Sequence, residues 1–233
     1  MTSRSIETAR RRPPAGLPAA LALAAALALL VGACAGSSPP LPTIGPQASA
    51  PATEPGVPST CPTSQPAALP AGETRTVTIS TSKGSISLRI DGSLSPIAAG
   101  NFVALSACGF YDGVVFHRVA TLQDGTPFVI QGGDPTLTGG TGLAYAIQDE
   151  PVTATYRRGT LAMARTAAPN SQGSQFFIVL SDAAGPILAS YNTYAIFGEV
   201  TGGMDVADAI YSAADAELPT HPIAMDSVTV ASP

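Results

Sequence analysis

Three short blocks of this chain carry side chains able to act on a ligand: Phe116-His117-Arg118, Phe128-Val129-Ile130-Gln131-Gly132-Gly133-Asp134 and Gly173-Ser174-Gln175-Phe176-Phe177. Together they offer a guanidinium, two carboxamides and several apolar rings. An extended peptide carrying an apolar residue would satisfy such a set. The amides and the guanidinium meet its backbone while the rings take its side chain. Alternate residues of a strand share a face, which groups Val129 with Gln131, Gln175 with Phe177, and Arg118 with Phe116 and Val114. His117 then faces away from Arg118 and is expected to be a hydrogen-bonded core histidine.

Other chemistries fit the sequence less well. The glycine-rich run from Gly132 to Gly142 lacks a Gly-Lys-Ser/Thr ending and opens no helix, so these are turn glycines rather than a phosphate loop. Asp149-Glu150 reads as a solvated loop, and neither Ser171 nor Ser174 lies in a Gly-x-Ser-x-Gly elbow. Two histidines and three cysteines are too few for a structural zinc site, so neither metal nor cofactor is expected. With a net charge of -5 and a single lysine, Lys83, the chain lacks the basic stripe that nucleic-acid binding demands.

The elements that must position these blocks are mostly strands. Val77 and Ile79, then Ile86, Leu88 and Ile90, alternate around Ser82-Lys83-Gly84, predicting a hairpin. Ser95-Pro96 opens a helix with Ser95 as N-cap, Ala98, Phe102 and Leu105 follow at helical spacing, and Gly109 ends it. Further strands are expected over residues 114–119, 128–131, 160–164, 175–180, 194–200 and 227–230, with a second helix over 204–212. Many short strands without alternating helices predict a mainly β domain: a closed antiparallel barrel with two helices capping its ends.

The first third of the chain reads differently. Arg10, Arg11 and Arg12 precede an uncharged Leu/Ala-rich run from Gly16 to Ala33, at the lower edge of what spans a bilayer. Val31-Gly32-Ala33-Cys34 resembles the lipobox of bacterial lipoproteins. That resemblance implies a signal peptide over residues 1–33, lipidation at Cys34, export, and anchoring to the outer face of the cell membrane. Residues 35–70 hold ten prolines among small residues and only one charge, Glu54. Such a composition buries too little apolar surface to offset ordering entropy, so 34–72 is expected to be a tether and 73–233 the folded domain. In an oxidising compartment Cys61 and Cys108 either pair or remain thiols.

The three blocks, in their order, closely resemble the cyclophilins, the peptidyl-prolyl cis–trans isomerases. The likeness extends through Asn101-Phe102, residues 109–113, Gly159 to Ala164 and Phe197-Gly198-Glu199-Val200. It implies an eight-stranded barrel, a catalytic role for Arg118, and substrate contacts from Phe128, Val129, Gln131, Ala164, Gln175, Phe177, Leu188 and Tyr194. Leu188 stands near a position that is Trp in many eukaryotic members, and Tyr194 where those members have His. The partners implied are proline-containing peptides and unfolded exported proteins, with the enzyme expected as a monomer. Arg165-Thr166-Ala167-Ala168 departs from the family's usual loop and raises the alternative of a weakly active proline-binding or chaperone module.

Overall fold

The computed structural model describes residues 58–232. The expected signal peptide, Cys34 and the tether as far as residue 57 lie outside them. The folded elements run in chain order as strands β1 (Thr74–Thr81) and β2 (Gly84–Asp91), helix α1 (Pro96–Ala107), and strands β3 (Arg118–Thr121), β4 (Pro127–Gly132), β5 (Thr160–Met163) and β6 (Phe176–Val179). Helix α2 (Ala184–Tyr191), strand β7 (Ile196–Gly202), helix α3 (Met204–Ser212) and strand β8 (Met225–Val230) complete the domain.

All eight strands join one antiparallel sheet in the order β3-β4-β6-β5-β7-β2-β1-β8. It curls into a half-barrel, correcting the expected closed barrel. The two edge strands do not form a ladder with each other. The gap is spanned by an isolated bridge, Val115 to Ala224, and by single backbone bonds such as Phe116 N–H to Ile223 O at 2.9 Å. Pro219 and Pro222 lie in the approach to β8, and proline has no N–H to give a ladder. Among the described residues there are three helices rather than the expected two.

Strand alternation divides the apolar residues between two cores. Ile130 of β4, Phe176 and Ile178 of β6, and Leu161 and Met163 of β5 point inward with Phe102 of α1. The ring of Phe102 packs on Tyr111, Phe176 and Phe197 with centroids 5.0–5.2 Å apart. The intervening residues Val129, Phe177, Val179 and Ala162 face outward and are covered by Leu188 and Ala184 of α2. That outer face carries the cleft described below.

The ends of α1 show a second difference. Ser95 occupies the N-cap position but makes no side-chain cap bond. The carboxylate of Glu150 caps the helix instead, accepting from Ile97 and Ala98 N–H at 2.8 and 2.9 Å. A carboxylate here meets both the orphan N–H groups and the positive end of the helix dipole. Glu150 is thus a structural residue rather than half of a solvated pair. At the other end Gly109, with φ +78°, turns the chain out of the helix as expected.

Ordered packing also begins well before Glu73. Cys61 and Cys108 form a disulfide, which decides between the two states left open for them. Leu69 is buried in the inner core, and its N–H bonds to Pro96 O at 2.9 Å. Gln65 accepts from the Gln148 N–H at 3.1 Å. Residues 61–72 therefore strap onto the domain although their composition reads as tether. The strap lies so close that a Cβ at Gly100 would overlap the Ala67 carbonyl oxygen.

Candidate functional site

The register of the sheet assembles the site. Arg118 of β3 pairs with Gln131 of β4, Gln131 pairs with Phe177 of β6, and Phe177 pairs with Ala162 of β5. Directly paired residues share a face. The guanidinium, one carboxamide and one aromatic ring therefore form a row on the outside of the sheet. One step along the strands, Val129 pairs with Ala120 and Val179.

Around this row lies a cavity of about 140 Å³. Arg118, Phe128, Val129, Gln131, Ala164, Phe177, Leu188 and Tyr194 line it, which are eight of the nine catalytic and substrate positions inferred from sequence. Its wall combines apolar side chains with the polar groups of Arg118, Gln131 and Arg165, and the rings of Phe177 and Tyr194 meet edge to face at 5.5 Å. Leu188 reaches it because residues 184–191 form α2. The sequence reading missed that helix, since Gly185-Pro186 resembles a turn; proline is tolerated within a helix's first turn.

Gln175, the ninth position, stands one layer out. Its Oε1 accepts from Gln131 Nε2 at 2.8 Å, and its own Nε2 donates to Gly140 O at 2.6 Å and to Asp134 Oδ2 at 3.3 Å. Gln131 Oε1 in turn accepts from Arg118 Nη1 at 3.3 Å. A carboxylate can only accept and a guanidinium can only donate, so the two ends fix the orientation of both amides. One N–H of Gln131 Nε2 remains for a ligand carbonyl.

Asp134 is buried, and its charge is held by N–H groups rather than by a cation. Thr136, Leu137 and Gly139 N–H and the Thr136 hydroxyl donate to it at 2.7–3.0 Å. Burial raises its pKa, but the hydrogen bonds from Thr136 and Gly139 outweigh it and bring the group below the ordinary value.

A larger cavity of about 470 Å³ continues from the first past Arg118 and Gln131. His117 lines it beside Arg118, contrary to the expectation that the two face apart. The reason is local. β3 starts only at Arg118, so strand alternation does not apply across Phe116 to Arg118, and Phe116 lies in the inner core. His117 Nδ1 is buried without a hydrogen-bond partner, and the half-buried ring borders this cavity instead of lying in the core.

Burial, the largest influence, lowers the pKa of His117 below its ordinary 6.5, with Arg118 acting in the same direction and Asp134 opposing. The folded state thus binds the proton more weakly than the unfolded chain. Stability from this group is complete above the ordinary pKa and declines as pH falls through it. Any activity requiring neutral His117 should be flat from about pH 7 to 9 and fall only on the acid side. A kcat/KM profile checks this; a bell centred near pH 7 would make His117 an acid or base.

The unusual loop after β5 is tied down by its arginine. Arg165 lines both cavities, yet its side chain is only 11% exposed and forms an ion pair with Asp149 at 2.9 Å. It also donates to Thr166 O and Ala168 O at 3.1 and 2.8 Å, so the loop wraps around it. Asp149 further accepts from Asn170 N–H and Gln172 Nε2 at 2.8 and 3.0 Å. Sequence reasoning also missed Glu217, whose Oε1 is 2.7 Å from Arg118 Nη2. It lies 99 residues along the chain from Arg118, in a stretch with neither strand nor helix periodicity.

Residues 76–230 match the family model described as cyclophilin type peptidyl-prolyl cis-trans isomerase/CLD. The chain is similar to a probable peptidyl-prolyl cis-trans isomerase A of Mycobacterium leprae, 39% identical over 179 residues, covering 68% of this chain and 93% of the relative. It is also similar to peptidyl-prolyl cis-trans isomerase-like 3 of Dictyostelium discoideum, 36% identical over 66% of this chain and 94% of that one. Among solved structures, a cyclophilin type isomerase of Cryptosporidium parvum crystallised in the presence of the dipeptide Ala-Pro superposes with a TM-score of 0.57. It is 33% identical over 68% of this chain and 99% of its own.

Proposed function

This chain belongs to the cyclophilin-type peptidyl-prolyl cis–trans isomerases, and we propose that it turns X–Pro bonds of unfolded exported proteins through a non-covalent mechanism centred on Arg118. Rotation about such a bond meets a barrier of about 18–20 kcal/mol from amide resonance. As the amide twists, conjugation is lost and the prolyl nitrogen regains its lone pair. A donor directed at that lone pair binds the transition state more strongly than the planar ground state, which is what lowers a barrier. Arg118 supplies such a donor through the planar fork of its guanidinium.

The pyrrolidine ring goes into the cavity of Phe128, Val129, Phe177, Leu188 and Tyr194, and the spare N–H of Gln131 takes the carbonyl before proline. Ala164 borders the same groove. No proton transfer, metal or cofactor enters the scheme. Lowering the barrier by about 7 kcal/mol corresponds to about five orders of magnitude in rate. The observation that carries the reading is the row of Arg118, Gln131 and Phe177 around a single cavity edged by Phe128, Val129, Leu188 and Tyr194.

The cellular part of the proposal rests on the amino-terminal residues. A cleaved signal peptide and acylated Cys34 would hold a monomeric domain on the outer face of the membrane, where chains emerge unfolded. A prolyl-peptide isomerisation assay tests the chemistry, with saturable acceleration expected. A chain that binds proline peptides without accelerating their isomerisation would be the binding module that the altered 165–168 loop suggested. Mass spectrometry of the membrane fraction tests acylation at Cys34.

A further inference from the structure

Glu217 presents its carboxylate to the side of the guanidinium away from Gln131. Its Oε1 accepts from Arg118 Nε at 2.8 Å and stands 2.7 Å from Nη2. The backbone beneath it is fixed as well, because Glu217 O accepts the Val119 N–H at 2.8 Å, one residue along β3 from Arg118. Farther along the same loop, Asp215 accepts from Thr220 N–H at 2.9 Å. The carboxylate is therefore delivered by a docked segment rather than by a free side chain.

The hydrogen inventory shows what this contact does. A guanidinium has five N–H groups in a rigid planar fork. Glu217 engages the Nε and Nη2 edge, and Gln131 accepts from Nη1 at 3.3 Å. With the far edge held, rotation of the long side chain is restricted and Nη1 stays turned toward the cavity shared with Gln131 and Phe177. Arg118 is 37% exposed in its side chain even with the carboxylate in place, so without it the guanidinium would be free to swing into solvent.

We propose that Glu217 is a positioning residue for isomerisation, holding the Arg118 guanidinium so that its Nη1 edge faces the proline cleft. The inference rests on the isomerase reading above. It ascribes little folding stability to the pair, since exposed ion pairs contribute little on their own. Its contribution is to orientation, where a displaced group costs rate rather than affinity.

The test measures kcat, KM and thermal stability for the whole chain and for Glu217→Ala, Glu217→Gln and Glu217→Asp, with a proline peptide as substrate. The Ala and Gln variants should lose about 5- to 10-fold in kcat with KM within about 2-fold of the parent. Melting temperature should stay within about 2 °C, Glu217 being 60% exposed in its side chain. Glu217→Asp should recover part of the loss, because a carboxylate is restored. Rising salt should lower the parent's kcat toward that of Glu217→Gln, since screening weakens an exposed pair. An unchanged or raised kcat in Glu217→Gln, with an active parent, would overturn this role alone. An inactive parent would overturn the isomerase reading and this inference with it.

Discussion

Replacing Arg118 with Ala should lower kcat/KM on an X–Pro peptide by about 100- to 1000-fold, mostly through kcat, the scale of losing one preorganised transition-state donor. In the proposed binding mode the proline ring would be held by Phe128, Val129, Phe177, Leu188 and Tyr194, none of which depends on Arg118 for its packing. Ground-state affinity should therefore survive, with KM within about 3-fold of the parent. The Arg118 side chain is 37% exposed and paired with a carboxylate 60% exposed, so truncation leaves no buried charge behind. Melting temperature should move little. Arg118→Lys should recover only part of the rate, because an ammonium lacks the planar fork that meets Glu217 and Gln131 together. Steady-state isomerisation kinetics beside a thermal melt decide it, and an Ala variant as fast as the parent would end the arginine mechanism.

How much of this site could be read from the sequence varies with the distance over which each residue acts. Gln131 and Val129, or Gln175 and Phe177, share a strand or its immediate approach, so period two places them correctly without coordinates. Arg118 fails the same argument. The three residues before β3 are not regular strand, and Phe116 enters the inner core while Arg118 faces out. The family likeness located Arg118, where alternation alone would have grouped it with core residues. Periodicity gave no support for Leu188, because Gly185-Pro186 hid a helix, which Asn192 then ends in the left-handed conformation with φ 47°.

Contacts made across long separations were invisible. Glu150 caps a helix that begins 54 residues earlier at Pro96, and an acidic pair on a loop carries no local sign of that. The open side of the half-barrel, likewise, depends on how the 213–222 segment docks rather than on any strand's own pattern. The proline-rich strap misled for a different reason. Composition measures the average burial of a segment, whereas residues 61–72 are held by two particular residues, Cys61 and Leu69.

That strap carries the prediction with the largest expected effect on stability. Replacing Cys61 and Cys108 together by Ser should lower folding stability by about 4 kcal/mol, the chain-entropy value for a crosslink spanning 47 residues. At this size that corresponds to a melting temperature lower by about 10 °C. The cause lies chiefly in the unfolded chain, which the crosslink deprives of conformations. Leu69 and its bond to Pro96 should still hold part of the strap once the crosslink is gone, so the loss should be stability and not fold. Neither cysteine lines the cavity beside Phe177 or its larger neighbour, so kcat/KM at 25 °C should stay within about 2-fold of the parent. Thermal melts of the oxidised chain, the reduced chain and the double variant check the claim, with the last two expected to coincide. If reduction left the melting temperature unchanged, the strap would owe its place to Leu69 and the backbone bonds alone, and the disulfide would be energetically idle.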